Sequence, residues 1–300
     1  MTTTMSMSAP ISSVAGAVHD VRRTLSQNLN DELAFTVDNY APGSTTMQLK
    51  AIPRRLGPGS ILSWHEATLY VVSVSESSSQ IEVLSGYDGG PDIAIPANTP
   101  LRVNPRFTDY TLFQSIAAAV TAMASPANGL FGVQVETVTG MKTDDFYPIP
   151  SAYASRVLKV LKVSGRSDGS RDWTDVRLSD YIVSLTPGNQ HLRIFTDALQ
   201  YEIVYAVQIA KPTSYDADLI TDCHLSESML DIPALGAASV LMYGQEARRV
   251  NQRAQGDPRR SEDVPITGAT GAARDLRRAF EQRIDEEHIR QISLYSYKVA

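Results

Sequence analysis

The run Ile61-Leu62-Ser63-Trp64-His65-Glu66-Ala67-Thr68-Leu69-Tyr70-Val71-Val72-Ser73-Val74 sets the class of fold. Val, Ile, Leu, Tyr and Trp crowd into two short stretches, 61–64 and 67–74, that read as strands. Thr45-Thr46-Met47-Gln48-Leu49 before them and Gln80 to Leu84 after them read the same way. Gly57-Pro58-Gly59, Glu76 to Ser79 and Asp88-Gly89-Gly90-Pro91 supply turn chemistry between the stretches. A small antiparallel sheet is expected between about Thr45 and Val103. Asn104-Pro105-Arg106 closes it, because a residue before proline is pushed towards extended backbone.

Helices are expected on either side of this sheet. Val14, Val18, Val21, Leu25 and Leu29 recur at helical spacing, with Ser12 or Ser13 as N-cap. His19, Asp20, Arg22, Arg23 and Gln27 fall on the opposite, polar face, and Asn30 and Asp31 close the helix. A second helix follows Thr108 or Asp109. Its stripe is Phe113, Ile116, Ala117, Val120 and Met123, and Ser125-Pro126 stops it. Helices that sandwich or flank an antiparallel sheet make an α+β unit.

From Val133 onwards the pattern is mostly β again. Val133 to Val138, Val157 to Val163, Trp173 to Leu178, Asp180 to Leu185, His191 to Thr196 and Gln200 to Ala210 are separated by polar turns. Strands this closely spaced suggest a β-sandwich or an open barrel. Pro212 to Asp222 resembles a linker. Asp231-Ile232-Pro233 then starts a helix with Leu235, Ala238, Leu241 and Met242 on its packed face, and Gly256-Asp257-Pro258 breaks it. Another helix is expected from about Thr270 to Ile292, with Ala273, Leu276, Phe280 and Ile284 aligned. The pair suggests an αα-hairpin. The end, Ser293 to Ala300, alternates in a way that suits addition to a neighbour's sheet. Three parts result: an N-terminal α+β part (1–132), a β-rich module (133–212), and a C-terminal helical hairpin with an extended tail (213–300), expected to pack with the N-terminal helices.

Composition bounds the function. A hydrophobic content of 43% with 20% charged residues supplies real cores and argues against global disorder. No apolar run approaches the ~20 residues of a membrane helix, and the Thr/Ser/Met-rich start lacks signal-peptide character. The one cysteine, Cys223, excludes an internal disulfide and an all-thiolate metal site, which suits a reducing cytoplasm. A net charge of −6 argues against a broad nucleic-acid-gripping face, but an acidic wall suits DNA that must pass without sticking.

Catalytic and metal patterns are weak. Gly165-Arg166-Ser167-Asp168-Gly169 matches G-x-S-x-G by letter. That motif needs a helix after it, whereas Asp172 to Leu178 read as strand, so the segment is a polar hairpin turn. Gly268 to Ala273 lacks the lysine of a phosphate loop. His19, His65, His191, His224 and His288 are scattered, with no i, i+4 pair for zinc. Glu286-Glu287-His288 reads as a solvated helix face. No cofactor and no metal are expected, and the chain is expected not to be an enzyme; a serine hydrolase using Ser167 is the remote alternative.

The C-terminal part interleaves Arg248, Arg249, Arg253, Arg259, Arg260, Arg274, Arg277, Arg278, Arg283 and Arg290 with nearly as many carboxylates. Such a face is either laced with solvent-exposed ion pairs or sets register between subunits. Together with Leu101-Arg102-Val103-Asn104-Pro105-Arg106-Phe107 and the helix after it, with Tyr147-Pro148-Ile149-Pro150 and the β module behind it, and with Asp231-Ile232-Pro233-Ala234-Leu235-Gly236-Ala237-Ala238 through Glu286-Glu287, the order of parts resembles head-to-tail adaptor (connector, neck) proteins of tailed bacteriophages, particularly those of actinobacteria. The resemblance implies a homo-oligomeric ring of about twelve copies below the portal. Such a ring continues the DNA channel towards tail or neck proteins, takes part in genome ejection, and lies in the virion after assembly in the host cytoplasm, with no membrane involved. It also implies portal or subunit contacts at Arg277, Arg278, Arg283, Tyr295 and Tyr297. The β insertion between Val133 and Lys211 departs from the simplest adaptors. A tail-completion or minor capsid protein is the nearest alternative.

Overall fold

The computed structural model describes residues 12–26, 31–139, 146–150, 154–167, 172–177, 181–186, 189–196, 198–255 and 266–295. It has the expected α+β class, in two compact units. The first consists of Met1–Ala119, Pro212–Asp218 and Asp231–Glu281, the second of Val120–Lys211, Leu219–Leu230 and Gln282–Ala300.

In the first unit, helix α1 (Val14–Ser26) forms where the Val/Leu stripe placed it. Val14, Val18, Val21 and Leu25 are buried, and the Ser13 hydroxyl caps the helix by accepting the Gly16 N–H at 3.0 Å. Leu29 and Asn30 lie outside the described residues.

The expected sheet has six strands: β1 (Glu32–Phe35), β2 (Thr46–Gln48), β3 (Ile61–Trp64), β4 (Ala67–Ser75), β5 (Gln80–Leu84) and β6 (Pro100–Val103). All pairs are antiparallel, in the order β1-β6-β3-β4-β5-β2. The two ends of that order also meet. Thr36 bridges Leu49, the Val37 N–H donates to the Gln48 carbonyl at 2.9 Å, and the Lys50 N–H donates to the Phe35 carbonyl at 2.8 Å. The sheet is therefore closed into a small barrel, its β1–β2 seam held at this one bridge. Alternate residues such as Leu49, Leu62, Leu69, Val71, Ile81, Val83 and Leu101 fill its interior.

Asn104 corrects an expectation. Its φ is +47°, in the left-handed region, and not extended as the following proline suggested. Its side chain compensates: Oδ1 accepts the Ile61 N–H at 2.8 Å, and Nδ2 donates to the Arg55 carbonyl and the Ser60 hydroxyl, both at 3.1 Å. Asparagine tolerates this backbone because it can bond locally. Helix α2 (Asp109–Met123) follows, capped by the Thr108 hydroxyl accepting from the Thr111 N–H at 3.1 Å.

Helix α3 (Ile232–Gln255) starts where Asp231-Ile232-Pro233 indicated and packs against α1. The expected break at 256–258 lies outside the described residues. Helix α4 (Ile266–Leu294) begins four positions before the expected Thr270, so Gly268 and Gly271 sit inside it. Gly236 is needed where it stands: a Cβ there would lie 2.7 Å from the Phe280 ring and 2.8 Å from the Ala119 methyl.

The second unit carries a β-sandwich. One sheet has the order β10-β9-β13-β7 and the other β11-β12-β8. These are β7 (Gly132–Thr139), β8 (Phe146–Pro148), β9 (Val157–Arg166), β10 (Thr174–Asp175), β11 (Tyr181–Thr186), β12 (Asn189–Ile194) and β13 (Gln200–Val207). Both sheets feed one core, in which Val163, Tyr201, Ile203 and Tyr205 from the first meet Tyr181, Leu192 and Ile194 from the second.

Candidate functional site

In the second unit, the last three turns of α4 are built around two buried polar side chains. Glu287 is 2% exposed, although the sequence placed it on a solvated face. Its carboxylate accepts the Ser228 hydroxyl at 3.0 Å and pairs with Arg290 at 2.6 Å. Arg290 also donates to Ser228, and Glu287 holds the guanidinium above its ordinary range of protonation. A buried carboxylate survives because it is both paired and hydrogen-bonded. One turn further on, the buried Gln291 amide accepts the Phe131 N–H at 3.3 Å and donates to the Phe131 carbonyl at 2.7 Å. Gly129, at φ +65°, makes room for His288: a Cβ there would sit 2.5 Å from the imidazole.

These contacts fix the orientation of the helix end and leave its other side bare. Ile289 is 66% exposed, and Ile292, one turn on, lies beside it on the outer side. Leu294, 59% exposed, borders a pocket of about 410 Å³ shared with Val133, Ser226, Ser228, Arg290 and Tyr295.

The residues singled out from sequence fall as follows. Arg283 is half-buried, donating to Glu286 at 2.9 Å and to the Ser228 carbonyl at 3.0 Å. Tyr295 is half-buried, its ring centre 6.3 Å from that of Phe131. Both belong to the cluster just described. Arg277 and Arg278, exposed on the part of α4 in the first unit, are not part of it; Arg277 pairs with Glu281 at 2.7 Å and covers the Phe280 ring. Tyr297 lies outside the described residues. Glu287, Gln291, Ile289 and Ile292 were not singled out, although Ile289 and Ile292 break the polar face at helical spacing.

A second charged cluster was also missed. Arg22, placed on the outer face of α1, is only 12% exposed at its side chain. It pairs with Asp31 at 2.7 Å and with Asp109, 8% exposed. Arg102 joins both carboxylates, at 3.2 Å to Asp31 and 3.8 Å to Asp109. The supposed linker is also pinned: residues 212–218 form a strap in the first unit. The Val14 N–H donates to the Ala217 carbonyl at 3.0 Å, and Ser12 to Asp218 at 2.8 Å. The Tyr215 N–H donates to Glu66 at 2.8 Å, and the Tyr215 ring stacks on His65, which stacks on Trp64. Burial pushes the Tyr215 hydroxyl up and the His65 imidazole down.

Ser167 follows β9, and β10 returns antiparallel beside that strand, with Thr174 opposite Gly165. The serine thus stands at a hairpin and not at a strand-to-helix elbow. Among the described residues there is no group of three or more potential metal ligands, and no helix is long and apolar enough to cross a membrane.

No family model matches the chain, and no curated protein does. Among solved structures, it is similar to a chain in the neck of an empty gene transfer agent particle. That match has 14% identity over 57% of this chain and 79% of the other, with a TM-score of 0.24. A chain in the virion of a native gene transfer agent particle gives 15% identity over 58% and 79%, with a TM-score of 0.22. These scores are too low to define a common fold.

Proposed function

We propose that this chain is a structural subunit of a tailed-phage-like particle, a head-to-tail adaptor that forms a ring below the portal and lets DNA pass without gripping it. The observation that carries the reading is the bare outer side of the α4 end. Ile289 and Ile292 are held outward by a helix whose inner side is fixed by a buried Glu287, paired with the half-exposed Arg290, and by a buried Gln291. Rigid presentation of aliphatic side chains to water is costly for a lone protein and useful for one that is covered by a partner.

The resemblance supplies the kind of partner, and its three stretches fall on structurally connected elements. The first runs from β6 into α2, the second from β8 into the sandwich, and the third along α3 and α4. Arg283 and Tyr295, on the inner side of the same helix end, are portal-contact candidates; Arg277, Arg278 and Tyr297 complete the set that the resemblance implies.

The test is to purify the chain with and without a portal ring from the same particle. Mass measurement and electron microscopy of the mixture should show a ring of this chain on the portal. A chain found elsewhere in the particle would make it another virion component, and a chain that neither oligomerises nor binds any particle protein would sink the reading.

A further inference from the structure

The barrel of the first unit carries two apolar outer patches of opposite charge on opposite walls. On β1, Leu33, Phe35 and the following Val37 alternate with buried Ala34 and Thr36, so all three face outward and are exposed. An outward apolar row on the barrel wall has no role in filling the barrel interior. Its surroundings are basic. Lys50 lies 5.9 Å from the centre of the Phe35 ring, and the exposed Arg54 and Arg55 follow. The one nearby carboxylate on β1, Glu32, accepts the backbone N–H groups of Arg54 and Arg55 at 3.0 and 3.1 Å, leaving their side chains outward. Asp38 ends the row.

The second patch lies on β4 and β5. Tyr70 opposes Leu84, a bulge pushes Val72 outward, and Tyr87 stacks on Tyr70 at 5.3 Å. Leu84, Val72 and Tyr87 are exposed. Here the charge is acidic: Glu82 is exposed on the same face and Asp88 follows Tyr87. The whole stretch 56–101 contains Glu66, Glu76, Glu82, Asp88 and Asp92 and no Lys or Arg. In the closed order β1-β6-β3-β4-β5-β2, β4 stands three strands from β1 in either direction, which puts it across the barrel from β1.

Two complementary patches on opposite walls of one body have the arrangement of a heterologous interface. We propose that successive copies of this chain join barrel to barrel, the Leu33-Phe35-Val37 row of one copy seated on the Val72-Leu84-Tyr87 patch of the next. The second copy is favoured over a foreign partner because the chain itself supplies both the basic-edged row and its acidic-edged complement. Two such patches facing away from each other repeat the contact indefinitely, so the copies close into a ring or grow as a filament. This inference deepens the ring reading and rests on it for closure; the contact itself does not involve the α4 end.

The experiment uses two charge-reversed forms of the full chain. Variant one, Lys50→Glu with Arg54→Glu, makes both patches acidic. Variant two, Glu82→Lys with Asp88→Lys, makes both basic. All four positions are exposed, and the strain of a lysine at the +57° φ of Asp88 is confined to a surface turn, so the fold should persist, as circular dichroism would show. Sedimentation velocity should show self-association of each variant weakened about tenfold or more, and near wild-type assembly restored when the two are mixed, in alternating copies. If each variant alone assembles like wild type, the barrel contact is wrong while the adaptor reading stands. Failure of the mixture to recover also refutes it. A wild-type chain that stays monomeric up to its solubility limit and ignores the portal overturns both.

Discussion

Replacing Asp109 by Ala tests whether the buried charge cluster holds the first unit together. The Asp109 carboxylate accepts from Arg22 and lies 3.8 Å from Arg102, and its side chain is 8% exposed. Removing it leaves two guanidiniums sharing Asp31 alone. Breaking a buried pair typically costs about 3–5 kcal/mol. The remaining Asp31 contacts and the partial exposure of Arg102 reduce that figure, while the lost negative charge in the first turn of α2 adds about 0.3–1 kcal/mol. A net loss of about 3 kcal/mol follows. Trp64 belongs to this unit and Trp173 to the other, so urea unfolding followed by Trp64 fluorescence in a Trp173→Phe background reads the right part of the molecule. The double variant Arg22→Met with Asp109→Leu removes both charges and lets Asp31 keep Arg102; it should unfold within about 1 kcal/mol of the parent. A loss below about 1 kcal/mol for Asp109→Ala would put the cluster among ordinary surface pairs and refute the reasoning.

Gly236→Val should destabilise the first unit by about 1–3 kcal/mol or more, because even a Cβ meets Phe280 and Ala119 below 3 Å; thermal unfolding measures it. Stability should also fall with acid. Burial lowers the folded-state affinity of His65 and His224 for protons, so the unfolded chain binds more protons as pH drops through about 6.5. The contribution of these residues is complete above that pH and declines below it, by at most about 1.4 kcal/mol per pH unit for each group. Urea midpoints between pH 8 and pH 5 should show this slope, and His65→Asn, which tolerates the +48° φ of the hairpin tip, should flatten it.

Much of the fold was legible because apolar periodicity marks burial. The stripes of α1 and α2, the start of α3, and strands β3, β4 and β5 lie where the pattern put them. Strand β1 was missed because its alternation is inverted: the large apolar residues Leu33 and Phe35 face out, and Ala34 and Thr36 face in. Barrel closure rests on a single bridge between Thr36 and Leu49, a tertiary contact with no local signature. Arg22 and Glu287 were read as solvated because a helical wheel cannot tell a buried ion pair from an exposed one; the partners, Asp109 and Ser228, are distant in sequence. The strap at 212–218 looked like a linker because its order comes from backbone bonds and ring stacking. At the candidate site, Arg283 and Tyr295 were legible as charged and aromatic residues near a chain end. The bare Ile289–Ile292 side was not, because its significance depends on what covers the other side of the helix.

The most direct measurement replaces Ile289 and Ile292 by Glu and follows particle assembly. Fully covering two isoleucines contributes about 1.5–3 kcal/mol each, so their loss should reduce partner affinity by well over tenfold. The variant should keep the wild-type circular dichroism and lose only a few degrees of melting temperature, since Ile289 is 66% and Ile292 42% exposed, yet should fail to complete particles or bind the portal. Normal particles built from this variant would contradict the account.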